Sequence, residues 1–168
     1  LRGADKWAEI DIATHSFGQG VAVTALQMVR AYAALANGGV LVNPTLLHDS
    51  SREDNGRRVF SEKTANAVAE ILRGVTESKE GTGKQAAIPG IAVSGKTGTA
   101  QKPRKGARGY DPDRILASFI GFINGSSVGV DRTIVMLVAV DEPGVSPRWG
   151  GVVAAPVFRS SMERILSH

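Results

Sequence analysis

Residues 92 to 101 read Ala92-Val93-Ser94-Gly95-Lys96-Thr97-Gly98-Thr99-Ala100-Gln101, a short run that joins a lysine to hydroxyl side chains and two glycines. Glycine weakens a strand interior and marks places where a ligand or another backbone approaches closely. An ammonium beside hydroxyls can stabilise developing negative charge, assist proton transfer and bind a carboxylate. The composition is that of a site rather than of a strand that only packs.

Two chemistries compete for this run. Gly90-Ile91-Ala92-Val93-Ser94-Gly95-Lys96-Thr97 satisfies G-x-x-x-x-G-K-[ST], the phosphate-cradling loop of nucleotide hydrolases. That loop needs a buried strand before it and a helix opening at the Lys-Thr pair. Here Pro89 precedes it, and Gly98, Pro103, Gly106, Gly109 and Pro112 follow, which no helix accommodates. The second chemistry is that of Lys96-Thr97-Gly98, the K-T-G triplet of penicillin-recognising serine acyltransferases, which suits an edge strand lining a cleft.

The 168 residues are one domain's worth of chain, with 42% hydrophobic and 21% charged residues. No cysteine is present, which excludes disulfides and thiolate metal sites, and His15, His48 and His168 have no metal-ligand spacing. No cofactor is implied. No apolar run approaches a membrane span, and no stretch of these residues reads as a signal peptide. The chain begins mid-pattern at Leu1, which suggests a piece of a longer protein. Net charge is +4, and Lys102, Arg104, Lys105, Arg108 and Arg114 against Asp111 and Asp113 leave +3 in one glycine-rich stretch. That stretch reads as a solvated loop or as a basic rim attracting anionic substrate or membrane surface. Nucleic acid is not expected, because no binding motif or interleaved aromatics accompany the charge.

The positioning elements follow from periodicity. Leu1 to Ile12 is an amphipathic lead-in in which Trp7 is a packing residue, and Thr14 to Gly20 is a tight turn. His15 and Ser16 lack identifiable partners, so His15 reads as structural. Thr24 caps a helix from Ala25 to Asn37 that is apolar on nearly every face and therefore expected to be buried, closed by Asn37-Gly38-Gly39. Residues 40 to 47 read as extended and 49 to 58 as a polar loop. Ser61 caps a second helix whose stripe is Ala65, Val68, Ile71, Leu72 and Val75, and a Gly-rich loop runs from Glu77 to Gly90. After the Lys96 strand come strands at Ile115–Ile123 and Thr133–Asp141, an antiparallel hairpin opened by Asn124-Gly125, and a last helix over Val152–Leu166 with Pro156 in its early turns. Helices packed on an antiparallel sheet make the fold α+β.

Four blocks, Gly18 to Gln27, Ser94 to Pro103, Ser118 to Phe122 and Gly150 to Phe158, together resemble the C-terminal half of the transpeptidase domain of class B penicillin-binding proteins. The Thr99-Ala100-Gln101-Lys102-Pro103 continuation is most similar to the cell-division (septal) subgroup. The resemblance implies a penicillin-binding-protein/β-lactamase-like fold and an enzyme that acylates a serine with the D-Ala-D-Ala end of a peptidoglycan stem peptide before passing the acyl group to an amine. By the same resemblance, β-lactam antibiotics are ligands and division-machinery proteins are partners. The complete protein would be membrane-anchored, with its catalytic domain extracytoplasmic. Lys96 would set charge beside the catalytic hydroxyls, and Thr97 and Thr99 would hold the substrate carboxylate. The Thr99 N–H would be one oxyanion donor, and Gly98 would keep the strand face clear. Ser94 is equally readable as structural or functional, while Gln101 reads as scaffold or rim.

The family pattern also requires S-x-x-K and S-x-N. No serine here has lysine three residues later or asparagine two residues later. Residues 1–168 are therefore expected to be the C-terminal portion of a single transpeptidase domain, inactive alone and docked to the missing N-terminal half through the Ala25–Asn37 helix and the Lys96 strand. The other outcome on the same fold is a non-catalytic β-lactam sensor.

Overall fold

The computed structural model describes residues 3, 6–16, 18, 20–46, 56–104, 106–125 and 132–167. The expectations for His48, His168, Lys105 and the body of the 49–58 loop lie outside the described residues.

Local capping decides the helices. The lead-in without a clear signal forms a seven-residue helix, α1 (Glu9–His15), whose first turn is held by Ala8 N–H donating to Asp11 Oδ2 at 2.9 Å. The ring centroids of His15 and Trp7 lie 4.6 Å apart in a T-shaped arrangement, so the histidine has an aromatic partner, although its buried Nδ1 has no hydrogen bond. In α2 (Ala25–Ala36), Thr24 Oγ1 accepts from Gln27 N–H and Gln27 Oε1 accepts from Thr24 N–H, a reciprocal capping box. Gly38 and Gly39 then take φ of +78° and +97°, and Gly39 N–H reaches back to Ala34 O at 2.7 Å. In α3 (Glu62–Glu77), Ser61 Oγ accepts from Thr64 N–H at 3.1 Å.

Two expectations about these helices are corrected. Within this chain only Ala34 of α2 is fully buried and Leu26 is 58% exposed, because apolar periodicity shows which faces avoid water but not what covers them. Ile71 of α3 is 71% exposed, and the buried positions are Ala65, Leu72 and Thr76. Thr76 is buried because its hydroxyl donates to Val93 O at 2.7 Å.

The stretch expected to be extended contributes only β1 (Val40–Leu41), paired with β2 (Arg57–Arg58) from within the expected loop. Beyond Leu41, Arg30 takes Val42 O and Asn43 Oδ1 at 2.7 and 2.6 Å, drawing the chain to α2 instead of to a sheet.

The main sheet is antiparallel in the order β3 (Ser94–Pro103), β4 (Tyr110–Asn124), β5 (Thr133–Asp141), with Lys96 opposite Ile120 and Thr97 opposite Phe119. Helices α2 and α3 cover one face, while α4 (Gly150–Val153) and α5 (Ala155–Leu166) cover the other. Side-chain alternation divides the core accordingly. Phe119 meets Phe158 of α5 edge-on at 4.8 Å, amid Ile88, Val93, Ile123 and Met162. Truncating either ring costs about 3–5 kcal/mol. The α+β expectation holds.

The last helix starts at Gly150, not Val152, and breaks at Ala154, since Pro156 has no N–H with which to continue the α4 ladder. The glycine-rich basic stretch is mostly hairpin: β3 reaches Pro103 and β4 begins at Tyr110, with Gly106 and Gly109 at positive φ in the turn.

Candidate active site

Among the described residues β3 is the edge of its sheet, hydrogen-bonded to β4 on one side, so its other margin leaves alternate N–H and C=O groups unpaired by the sheet. Gly95, Lys96 and Thr97 lie within the β3–β4 ladder, opposite Gly121, Ile120 and Phe119. The Lys-Thr pair therefore opens no helix, and the phosphate-cradle geometry is absent.

Alternation sends the strand's side chains to two faces. Ser94 and Lys96 lie on the α3 side. Ser94 is 8% exposed and its hydroxyl donates to Ala69 O at 2.8 Å, which makes it structural. Lys96 is exposed, and its Nζ donates to Thr97 O at 3.1 Å. Thr97 and Thr99 point to the opposite face. The hydroxyls of Thr97 and Thr82 are 2.9 Å apart, and Thr99 Oγ1 accepts from Gly150 N–H at 3.2 Å. An oxygen that accepts from an amide turns its own hydrogen elsewhere, so Thr99 retains a donor. The Thr82–Thr97 pair likewise spends one hydrogen and keeps the other. Two hydroxyl donors on one face of an edge strand, with an ammonium at the adjacent position, can bind an anionic terminus while a peptide lies along the strand margin.

Glycines bring these groups together. A Cβ at Gly98 would stand 2.4 Å from Ser118 Oγ, one at Gly150 would stand 2.1 Å from Ser118 O and 2.4 Å from Gly98 O, and one at Gly151 would stand 2.1 Å from Thr82 O. Thr82 is the site residue that sequence reasoning missed. Its signal was a hydroxyl between Gly81 and Gly83, which press against Val75 O and the Phe119 ring.

Two of the five cations of the expected basic rim, Lys102 and Arg114, are ion-paired. Lys102 pairs with Asp141 and, at 2.8 Å, with Glu142, and Arg114 pairs with Glu142 at 2.9 Å. Arg104 donates to Tyr110 O at 3.0 Å. Arg104, Ala107, Asp111 and Arg114 line an open cleft of about 380 Å³. Hydrogen bonding to Lys102, and then to Arg114, holds the Glu142 carboxyl below its ordinary range, while Asp141 and then Glu142 raise the Lys102 ammonium. The lowered carboxyl contributes stability above its ordinary pKa and loses it as pH falls through the lowered value. The raised ammonium contributes below the ordinary lysine value and loses it as pH rises through the raised one. Thermal melts across pH should therefore place Glu142→Gln below wild type at neutral pH, with the two curves converging in acid.

A model of the penicillin binding protein transpeptidase domain matches residues 2–163. The chain is 39% identical over 162 residues to a probable peptidoglycan D,D-transpeptidase, PenA, of Neisseria meningitidis, covering 96% of this chain and 26% of that protein. It is 32% identical to the peptidoglycan D,D-transpeptidase FtsI of Escherichia coli, again covering 96% of this chain and 26% of that protein. The chain thus spans about a quarter of the length of these relatives. Among solved structures, the apo transpeptidase domain of Burkholderia pseudomallei penicillin-binding protein 3 superposes with a TM-score of 0.84 at 38% identity, covering 99% of this chain and 49% of that one. Penicillin-binding protein 3 of Mycobacterium tuberculosis complexed with aztreonam gives a TM-score of 0.78 at 32% identity, covering 99% and 40%.

Proposed function

The chain belongs to the penicillin-binding protein transpeptidase family, and we propose that it is the C-terminal portion of a serine D,D-transpeptidase of the septal type that cross-links peptidoglycan stem peptides. The observation that carries this reading is the edge position of β3, with Lys96 toward one face and the Thr97 and Thr99 hydroxyls toward the other. A stem peptide would pair along the open margin with its terminal carboxylate held by the two hydroxyls. A serine supplied by the rest of the protein attacks the penultimate D-Ala carbonyl. The oxyanion is met by the Thr99 N–H and the serine's own N–H. Lys96 stabilises the charge and helps pass the serine proton to the departing D-alanine. An amine of a second stem then attacks the ester, forming the cross-link and returning a proton to the serine. Penicillins acylate the same oxygen by opening their lactam amide.

The N-terminal half of the domain would dock through α2, where Leu26 is exposed, and beside the Lys96 strand, with the exposed Ile10 and Ile12 and the β5 edge, unpaired among the described residues, adding to that surface. Division-machinery proteins are partners under the same reading. The domain would act outside the cytoplasmic membrane, with its anchor elsewhere in the protein. Among the described residues no helix is long and apolar enough to cross a membrane.

The test uses the intact protein that contains this stretch, a fluorescent penicillin and a D-Ala-D-Ala stem peptide. Labelling together with D-alanine release is expected. Labelling without release would make the protein a β-lactam sensor, and no labelling would overturn both readings. Thr82→Ala deprives Thr97 of a hydrogen-bond partner worth about 1 kcal/mol. Acylation by penicillin should accordingly slow about fivefold in stopped-flow measurements.

A further inference from the structure

The β3–β4 register passes from Gln101 opposite Ile115 to Lys102 opposite Asp111, so Pro112, Asp113 and Arg114 bulge from β4 without partners on β3. The segment joining β5 to α4 is fastened to this bulge at both ends. At its start Glu142 takes a left-handed φ of +48°, donates its N–H to Ile115 O at 2.9 Å and receives Lys102 and Arg114 on its carboxylate. At its end Arg148 Nη1 donates to Asp113 O at 2.7 Å. Residues 144 to 147 between the two fastenings are exposed. Two residues after Arg148, Gly150 N–H donates to Thr99 Oγ1 at 3.2 Å, with Gly150 packed directly on Gly98.

A non-glycine residue at positive φ persists only where its surroundings over-determine it, and this one sits where three charged side chains converge. The charged donor at Arg148 is the last tie before α4, and the orientation of the Thr99 hydroxyl depends on where α4 begins.

We propose that the β4 bulge is a positioning device for the carboxylate-binding hydroxyl, with Arg148 as a positioning residue that fixes Gly150 N–H and so keeps the Thr99 hydrogen turned toward the substrate. This rests on the transpeptidase reading of Thr99. A loosened α4 start leaves Thr99 free to spend its hydrogen elsewhere, which weakens recognition of a carboxylate and of nothing else. The role is thus separable from a general packing role by removing the carboxylate from the ligand.

In the intact protein, acylation rates are measured for a penicillin and for its methyl ester, beside thermal melts. Arg148→Ala should slow acylation by the free acid about tenfold, the scale of one charge-assisted hydrogen bond, and leave the ester rate and the melting temperature nearly unchanged. Arg148→Lys should recover part of the loss, and Glu142→Gln, which loosens the other fastening, should shift the acid-to-ester ratio in the same direction. Equal losses on acid and ester, or no loss on either, would overturn the proposal. Thr99→Val separates the two levels. If it leaves the acid-to-ester ratio at the wild-type value, the carboxylate reading itself fails; if it collapses the ratio while Arg148→Ala does not, only the bulge device fails.

Discussion

Replacing Lys96 with alanine is expected to slow acylation of the intact protein by penicillin about 10³-fold, without a measurable change in melting temperature. The stability side follows from its surroundings: the side chain is exposed and its one hydrogen bond goes to the neighbouring Thr97 carbonyl, so truncation buries nothing and leaves no orphaned group. The rate side follows from chemistry. A positioned proton-transfer group contributes about 10²–10⁴-fold, and an electrostatic donor aimed at developing charge about 10²–10³-fold. Lys96→Arg tells the two apart, since guanidinium keeps the charge but does not deprotonate. An intermediate rate is expected for it. Labelling of Lys96→Ala within about threefold of wild type would remove Lys96 from the chemistry.

Gly150→Ala carries the second large effect, and here stability and activity fall together. The added methyl would stand 2.1 Å from Ser118 O and 2.4 Å from Gly98 O, both backbone atoms of one cross-strand pair, so no side chain can swing aside. Relief requires α4 to lift or β3 to bend. Overpacking of this kind costs about 3 kcal/mol or more. Either movement also separates Gly150 N–H from Thr99 Oγ1, so residual folded protein should acylate at least about tenfold more slowly. Gly144→Ala is the control: a Cβ there meets nothing within 4 Å, and neither its melt nor its acylation should change.

Much of this was legible before any coordinates, because the signals were local. Thr24 and Ser61 act as caps with the expected amide partners, Thr133–Asp141 forms a strand with those bounds, and Lys96-Thr97-Gly98 lies on the strand that its glycines and hydroxyls suggested. What local reading missed depended on partners distant in sequence. The charged stretch after Gln101 looked like a loop, since composition cannot show that Lys102 pairs with Asp141 and Glu142 forty residues on. Thr82 sat in a glycine-rich segment whose packing against Phe119 is visible only in three dimensions. The apolar circumference of α2 is hydrophobic as expected, yet burial is a property of the neighbour as well as of the helix, and within this chain most of that circumference is only half covered. Gly150 and Gly151 were recognised as part of a block without a reason for the residue type; the reason is the ångström-scale approach of α4 to β3 and to the turn at Thr82.

The central claim is that these residues supply the Lys96 strand to a serine that they do not themselves contain. Peptide mapping by mass spectrometry of the intact protein after reaction with penicillin tests it directly. The account predicts one acylated serine, on a peptide outside residues 1–168, whose yield falls sharply in Lys96→Ala. An adduct on Ser94, Ser118 or any other serine of this stretch would contradict it, as would a protein that remains unmodified.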